Sequence, residues 1–85
     1  MAMKTTIKYF ASIREAIGHS SVVHQTSAST LAGLRDELIA TSPEHAAALA
    51  RGKAVRMALN QVMSDESAVL TDGCEVAFFP PVTGG

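Results

Sequence analysis

The sequence predicts an α+β domain: one mixed β-sheet with helices packed on one of its faces. Three observations carry this expectation. Alternating apolar and polar residues mark a strand near each end of the chain, Lys4 to Phe10 and Cys74 to Phe79, because side chains of a strand point to opposite faces in turn. The middle holds two helix starts, Thr30 before a leucine stripe and Ser42-Pro43-Glu44. The length, 85 residues, fits a single small domain that buries roughly 60–65% of its unfolded surface. Strands at both ends with helices between them place those helices on one side of the sheet.

The elements follow in order. Lys4 to Phe10 forms the first strand, with Ile7 and Tyr9 on one face and Lys8 and Phe10 on the other. Ala11 to Ile17 is a short helix with Ile13 and Ile17 one turn apart, and Gly18 stops it. Ser20 to Thr26 is a second strand, antiparallel to the first across a joint longer than a tight hairpin. Thr30 caps a helix through Leu31, Leu34 and Leu38, in which Gly33 costs about 1 kcal/mol of propensity. Ser42 caps the next helix, with proline at its first position and Glu44 near the positive end of its dipole; it runs to near Gly52. Ala54 to Leu59 is a strand, Asn60-Gln61 a turn, and Val62-Met63 a short edge segment. Thr71-Asp72-Gly73 is the clearest turn signal. In the last strand Cys74, Val76 and Phe78 share one face and Glu75, Ala77 and Phe79 the other. Pairing of the first and last strands at the sheet centre would give a β-grasp.

Composition narrows the function. A net charge of −1 gives no electrostatic argument for nucleic acid or an anionic membrane. The single cysteine, Cys74, rules out an internal disulfide framework and a cysteine-cluster metal site. His19, His24 and His45 stand at no metal-ligand spacing. The run Ala46 to Ala50 is too short to span a bilayer, and the N-terminus carries no apolar leader pattern, so a cytoplasmic location is expected.

The chemistry points to the end of the chain. The sequence closes on Phe78-Phe79-Pro80-Pro81-Val82-Thr83-Gly84-Gly85. A carboxylate on Gly85 would sit on a residue without a Cβ, able to thread a narrow pocket. Two prolines would stiffen the arm before Val82 and Thr83, and Gly84 and Gly85 would give it clearance. Such an end suits activation as an acyl-adenylate and transfer to a nucleophile. The expected division is a β-grasp domain over residues 1–81 and a flexible tail over 82–85.

Several blocks carry a family likeness: Tyr9-Phe10-Ala11 with Ile13-Arg14-Glu15, Ala58-Leu59-Asn60-Gln61, Leu70-Thr71-Asp72-Gly73, and Glu75 through Gly85. In these the chain resembles the MoaD family of ubiquitin-like sulfur carriers, the small subunits of molybdopterin synthase. The resemblance implies a β-grasp fold and a defined cycle. A MoeB-type adenylating partner, using ATP and Mg²⁺, activates the carboxylate of Gly85. A sulfur donor converts it to a thiocarboxylate. The MoaE-type large subunit accepts the tail and passes the sulfur to precursor Z, a cyclic pyranopterin monophosphate, to build the dithiolene. It also implies a heterotetramer of two small and two large subunits. The small subunit binds no cofactor or metal and is not an enzyme on its own.

Phe79, Pro80, Pro81 and Arg14 are the candidate partner contacts, although exposed helix arginines are commonly mere solvated charges. Cys74 stands where the family commonly has aspartate, and reads as a small filler at a strand start. Rival readings are a carrier for thiamine or tRNA thiolation, a ubiquitin-like protein modifier, and a binding module whose tail acts without covalent chemistry.

Overall fold

The computed structural model describes residues 2–50 and 52–81. The expected tail, Val82 to Gly85, lies outside the described residues. The elements run β1 (Met3–Tyr9), α1 (Ala11–Ile17), β2 (Ser21–Thr26), α2 (Leu31–Ile39), α3 (Pro43–Leu49), β3 (Arg56–Leu59), β4 (Val62–Ser64) and β5 (Glu75–Phe79). The sheet has five strands in the order β2-β1-β5-β3-β4. β5 is central: it runs parallel to β1, with Tyr9 opposite Phe78, and antiparallel to β3, with Arg56 opposite Phe79. β1 and β2 are antiparallel neighbours, with Ile7 opposite Val22. This is the β-grasp expected from the sequence.

The helices cover one face, as the alternation requires. Ile7 and Tyr9 of β1, Val76 and Phe78 of β5 and Met57 of β3 join Ile13, Ile17, Leu31, Leu34, Leu38 and Leu49 in one buried cluster. Full burial of one such side chain contributes about 1.5–3 kcal/mol. Cys74 belongs to the same cluster at 3% exposure, so it packs as the expected filler just ahead of the strand. Lys4, Thr6 and Lys8 of β1, Glu75, Ala77 and Phe79 of β5, and Arg56 and Ala58 of β3 share the opposite, uncovered face.

Local chemistry sets the joints. Thr30 and Ser42 cap α2 and α3 by accepting from the Gly33 and His45 amides, and Gly18 closes α1 at φ 92°. Gly33 has a packing reason: a Cβ there would stand 3.0 Å from the Cβ of Ala28. Asn60 and Gln61 both take positive φ, as a two-residue hairpin turn matching the twist of its strands requires.

Several boundaries differ from expectation: β1 starts at Met3 rather than Lys4, β4 runs on to Ser64, and β5 starts at Glu75 rather than Cys74. Phe10 is not the end of β1 but the exposed N-cap of α1, because Ala11 turns the chain through φ 52°. β2 starts at Ser21, one residue later than expected. α3 ends at Leu49 rather than near Gly52, since Ala50 leaves helical geometry at ψ 145° and the Arg35 side chain takes the carbonyls of Leu49, Ala50 and Lys53. β3 begins at Arg56 rather than Ala54, where pairing with β5 begins opposite Phe79.

Candidate functional site at the end of the central strand

The sequence places its chemistry after Phe79, so the site is the C-terminal end of β5 and whatever holds it still. β5 is fastened along its length. At its start, the Asp72 carboxylate accepts from the Lys4 amide at 2.8 Å, the Gly73 amide donates to the Lys4 carbonyl at 2.7 Å, and the Thr6 amide donates to the Cys74 carbonyl at 3.0 Å. Gly73 takes φ 82°, a conformation glycine adopts without the steric cost a side chain brings. On the other side, Asn60 brackets Glu75: its amide donates to the Glu75 carbonyl at 2.7 Å, and its side-chain oxygen accepts from the Glu75 amide at 2.9 Å. Asn60 thus serves its turn by both routes open to it, a left-handed backbone and a side-chain bond.

At its end, the Phe78 carbonyl accepts from the Phe10 amide at 3.2 Å, joining the start of α1 to the end of β5. Phe78 itself is fully buried and stacks on Tyr9, with ring centroids 6.1 Å apart. Burial raises the Tyr9 phenol to about 12, so it stays neutral through the physiological range. The turn into α1 stores strain, because a left-handed alanine costs roughly 1–2 kcal/mol. Tyr9, Phe10 and Ala11 are therefore the joint that holds the C-terminal end of β5.

The outer side of this end is half exposed. Phe79, Pro80 and Pro81 are each partly buried, and Phe79 lies on the uncovered sheet face beside Arg56. Arg56 is exposed, and its side chain has no partner among the described residues. Lys8 and Glu75 pair across the same face at 3.6 Å, with both side chains partly exposed, and such a pair contributes little. Arg14 is exposed on α1. Thus Phe79, Pro80 and Pro81 follow one another at the end of β5, while Arg14 stands on the neighbouring helix. Val82, Thr83, Gly84 and Gly85 lie outside the described residues.

Sequence reasoning missed two features here. Arg56 was legible as facing away from Met57, but its register with Phe79 is a tertiary fact. The Phe10–Phe78 link required knowing that β1 and β5 are parallel. Among the described residues, no group of three or more His, Cys, Asp or Glu is arranged to hold a metal ion. No helix among them is long and apolar enough to cross a membrane.

A five-strand mixed sheet with its parallel pair at the centre and the helices on one face is the β-grasp of the ubiquitin-like class. Among solved structures, the chain is similar to the small archaeal modifier protein SAMP1 of Haloferax volcanii, with a TM-score of 0.76 and 25% identity over 96% of this chain and 99% of that one. It is also similar to a chain in the complex of subunits 1 and 2 of the molybdopterin-converting factor from Helicobacter pylori, with a TM-score of 0.65 and 25% identity over 98% and 100% of the two chains. In sequence, it is 42% identical over 79 residues to the molybdopterin synthase sulfur carrier subunit of Escherichia coli, covering 93% of this chain and 96% of the relative. The ThiS family profile matches residues 7–85, and the chain belongs to that family.

Proposed function

We propose that this protein is the sulfur carrier subunit of a molybdopterin synthase, and that Gly85 is its reacting residue. The observation that carries the reading is the 42% identity to a named sulfur carrier subunit over nearly the whole of both chains. The site supports it. A central strand hydrogen-bonded on both sides delivers Pro80 and Pro81 at a fixed place, and the sequence continues into Gly84-Gly85.

The chain's contribution is an acyl group on an arm. At neutral pH a terminal carboxylate with a pKa of roughly 3.5 is ionised and unreactive. A MoeB-type partner, with ATP and Mg²⁺, would make the acyl-adenylate, and sulfur from a donor would displace AMP to leave a thiocarboxylate. A MoaE-type large subunit would then take the tail and pass sulfur to precursor Z, within a heterotetramer of two small and two large subunits. The relative in H. pylori, described as a complex of subunits 1 and 2, supports a large-subunit partner. The general acids and bases would belong to the partners, so the subunit alone has no turnover, binds no cofactor or metal, and works in the cytoplasm. Phe79, Pro80, Pro81 and Arg14 would dock it, because a half-exposed aromatic beside prolines adds apolar contact at little entropy cost.

Intact-mass measurement tests this. Protein incubated with its activating enzyme, ATP and a sulfur source should gain the mass of sulfur minus oxygen at Gly85. An unchanged mass under conditions that activate a known carrier sinks the reading. The likeness to SAMP1 favours one second reading, a protein modifier, for which lysine-linked adducts would be the product.

A further inference from the structure

A hollow of about 550 Å³ opens where the β3–β4 ladder ends. Val55, Met57 and Met63 give it an apolar lining, and Arg35, Arg56, Ser64, Asp65, Glu66 and Ser67 a polar one. All but one of those polar side chains are engaged within the domain. Arg35 pairs with Glu66 at 3.0 Å. Asp65 accepts from the Ser67 amide at 2.9 Å and from the Ser67 hydroxyl. The Ser64 hydroxyl donates to the Val62 carbonyl at 2.9 Å. The exception is Arg56, which is exposed and has no side-chain partner among the described residues.

We propose that this hollow receives a carboxylate side chain of the large subunit, and that Arg56 binds it. The charges select an anion. Both acids in the lining already have donors, so the cation left unanswered is Arg56, whose planar fork matches a carboxylate in two parallel hydrogen bonds. The same imbalance extends over the uncovered sheet face. Its strands carry three cations, Lys4, Lys8 and Arg56, against one acid, Glu75, which pairs with Lys8, although the whole chain has a net charge of −1. Position selects a protein over a free small acid. Arg56 stands opposite Phe79, and Met63, 57% exposed, stands opposite Ala58 on the same face. A small acid in the hollow would leave Met63 and Phe79 in water, whereas a protein surface covers them together with the ion pair. Covering the pair also removes water from around it, which strengthens the attraction.

The inference rests on the sulfur-carrier reading, which supplies the partner. It adds the chemistry of the surface that fits: an acidic side chain set among apolar ones. Arg56 then decides which surfaces are accepted, because a neutral or basic group in its place would leave a guanidinium covered and unpaired.

Binding kinetics between the full-length chain and the large subunit test the proposal. Arg56→Glu should weaken the complex about tenfold or more, chiefly through faster dissociation, since a covered charge pair acts on dissociation and a peripheral charge on association. Arg56→Gln keeps polarity without charge, should give a smaller loss of the same kind, and carries the test if the glutamate variant folds poorly. Lys53→Glu makes the same change of charge at an exposed residue outside the hollow and should stay within about twofold. Unchanged dissociation in the Arg56 variants, or an equal loss for Lys53→Glu, overturns the proposal. So does a change confined to association, which marks steering without contact. A wild-type chain that binds no large subunit overturns it together with the docking reading. Sulfur loading is read separately by intact mass, so the two failures are distinguishable.

Discussion

Replacing Arg35 with leucine should unfold this domain at markedly lower temperature. Arg35 is 5% exposed on α2. Its guanidinium donates to the Leu49 carbonyl at 2.7 Å, the Ala50 carbonyl at 2.8 Å, the Lys53 carbonyl at 3.2 Å and the Glu66 carboxylate at 3.0 Å. One side chain therefore ends α3, holds the segment that follows it, and pairs with the loop after β4. Hydrogen bonds to a charged group contribute roughly 1.5–3 kcal/mol each, but four on one group do not add. Glu66 keeps 37% of its side-chain surface exposed and can turn to water, so the cost lies chiefly in the buried carbonyls left without a donor, about 3 kcal/mol for the site. At roughly 4–8 °C per kcal/mol for a domain of this size, the melting temperature should fall by on the order of 20 °C. Circular dichroism during urea and thermal unfolding would measure it, since the chain has no tryptophan to report by fluorescence. Arg35→Lys should recover part of the loss, because an ammonium keeps the charge but not the fork. A cost below about 1 kcal/mol for Arg35→Leu would show that water replaces the guanidinium and refute the clamp.

Three further outcomes are expected. Deletion of Gly85 should abolish sulfur loading by intact mass while changing unfolding free energy by less than about 1 kcal/mol, because among the described residues the buried cluster runs from Ile7 to Phe78; a large drop in melting temperature would contradict this. Phe79→Ala should weaken binding to the large subunit about tenfold or more by calorimetry while costing the monomer about 1 kcal/mol, since Phe79 is only partly buried; equal losses in both would place it in the core. Stability should fall on acidification in two steps. Burial, together with nearby His19, holds the His45 imidazole below its usual 6.5. The unfolded chain therefore binds that proton first, and stability declines as pH drops below about 6.5. Burial works to raise the Glu37 carboxyl, but hydrogen bonds from Thr26, His24 and Ser27 outweigh it and hold it below 4.5. Its contribution is therefore present above pH 4.5 and lost as pH falls through the folded value. Urea midpoints of Glu37→Gln across pH should lack the second step; an unaltered profile would show that the carboxylate is not the cause.

The sequence by itself determined what short-range physics can write. Thr30 and Ser42 announced their helices because a cap acts over three residues. Gly18 and Gly73 marked positions of positive φ, and Asn60-Gln61 marked a turn. Alternation gave the faces of β5, and the terminal block from Glu75 gave the candidate chemistry. Tertiary structure decided everything whose partners are distant. Arg35 occupies a stripe with Leu31, Leu34 and Leu38 at i, i+3, i+4 and i+7, so its burial had a local signal. Its ligands, however, lie 14 and 31 residues away, and only they make a buried cation tolerable. They also cut α3 short at Leu49. The parallel pairing of β1 with β5 likewise joins residues almost seventy positions apart, as in Tyr9 and Phe78. That pairing sets the Phe10–Phe78 bond and hence the position of Phe79 and Pro80 at the end of β5. Local sequence can mark a strand and its faces; only the packed sheet places the end of β5, because its position depends on contacts that no local stretch of chain contains.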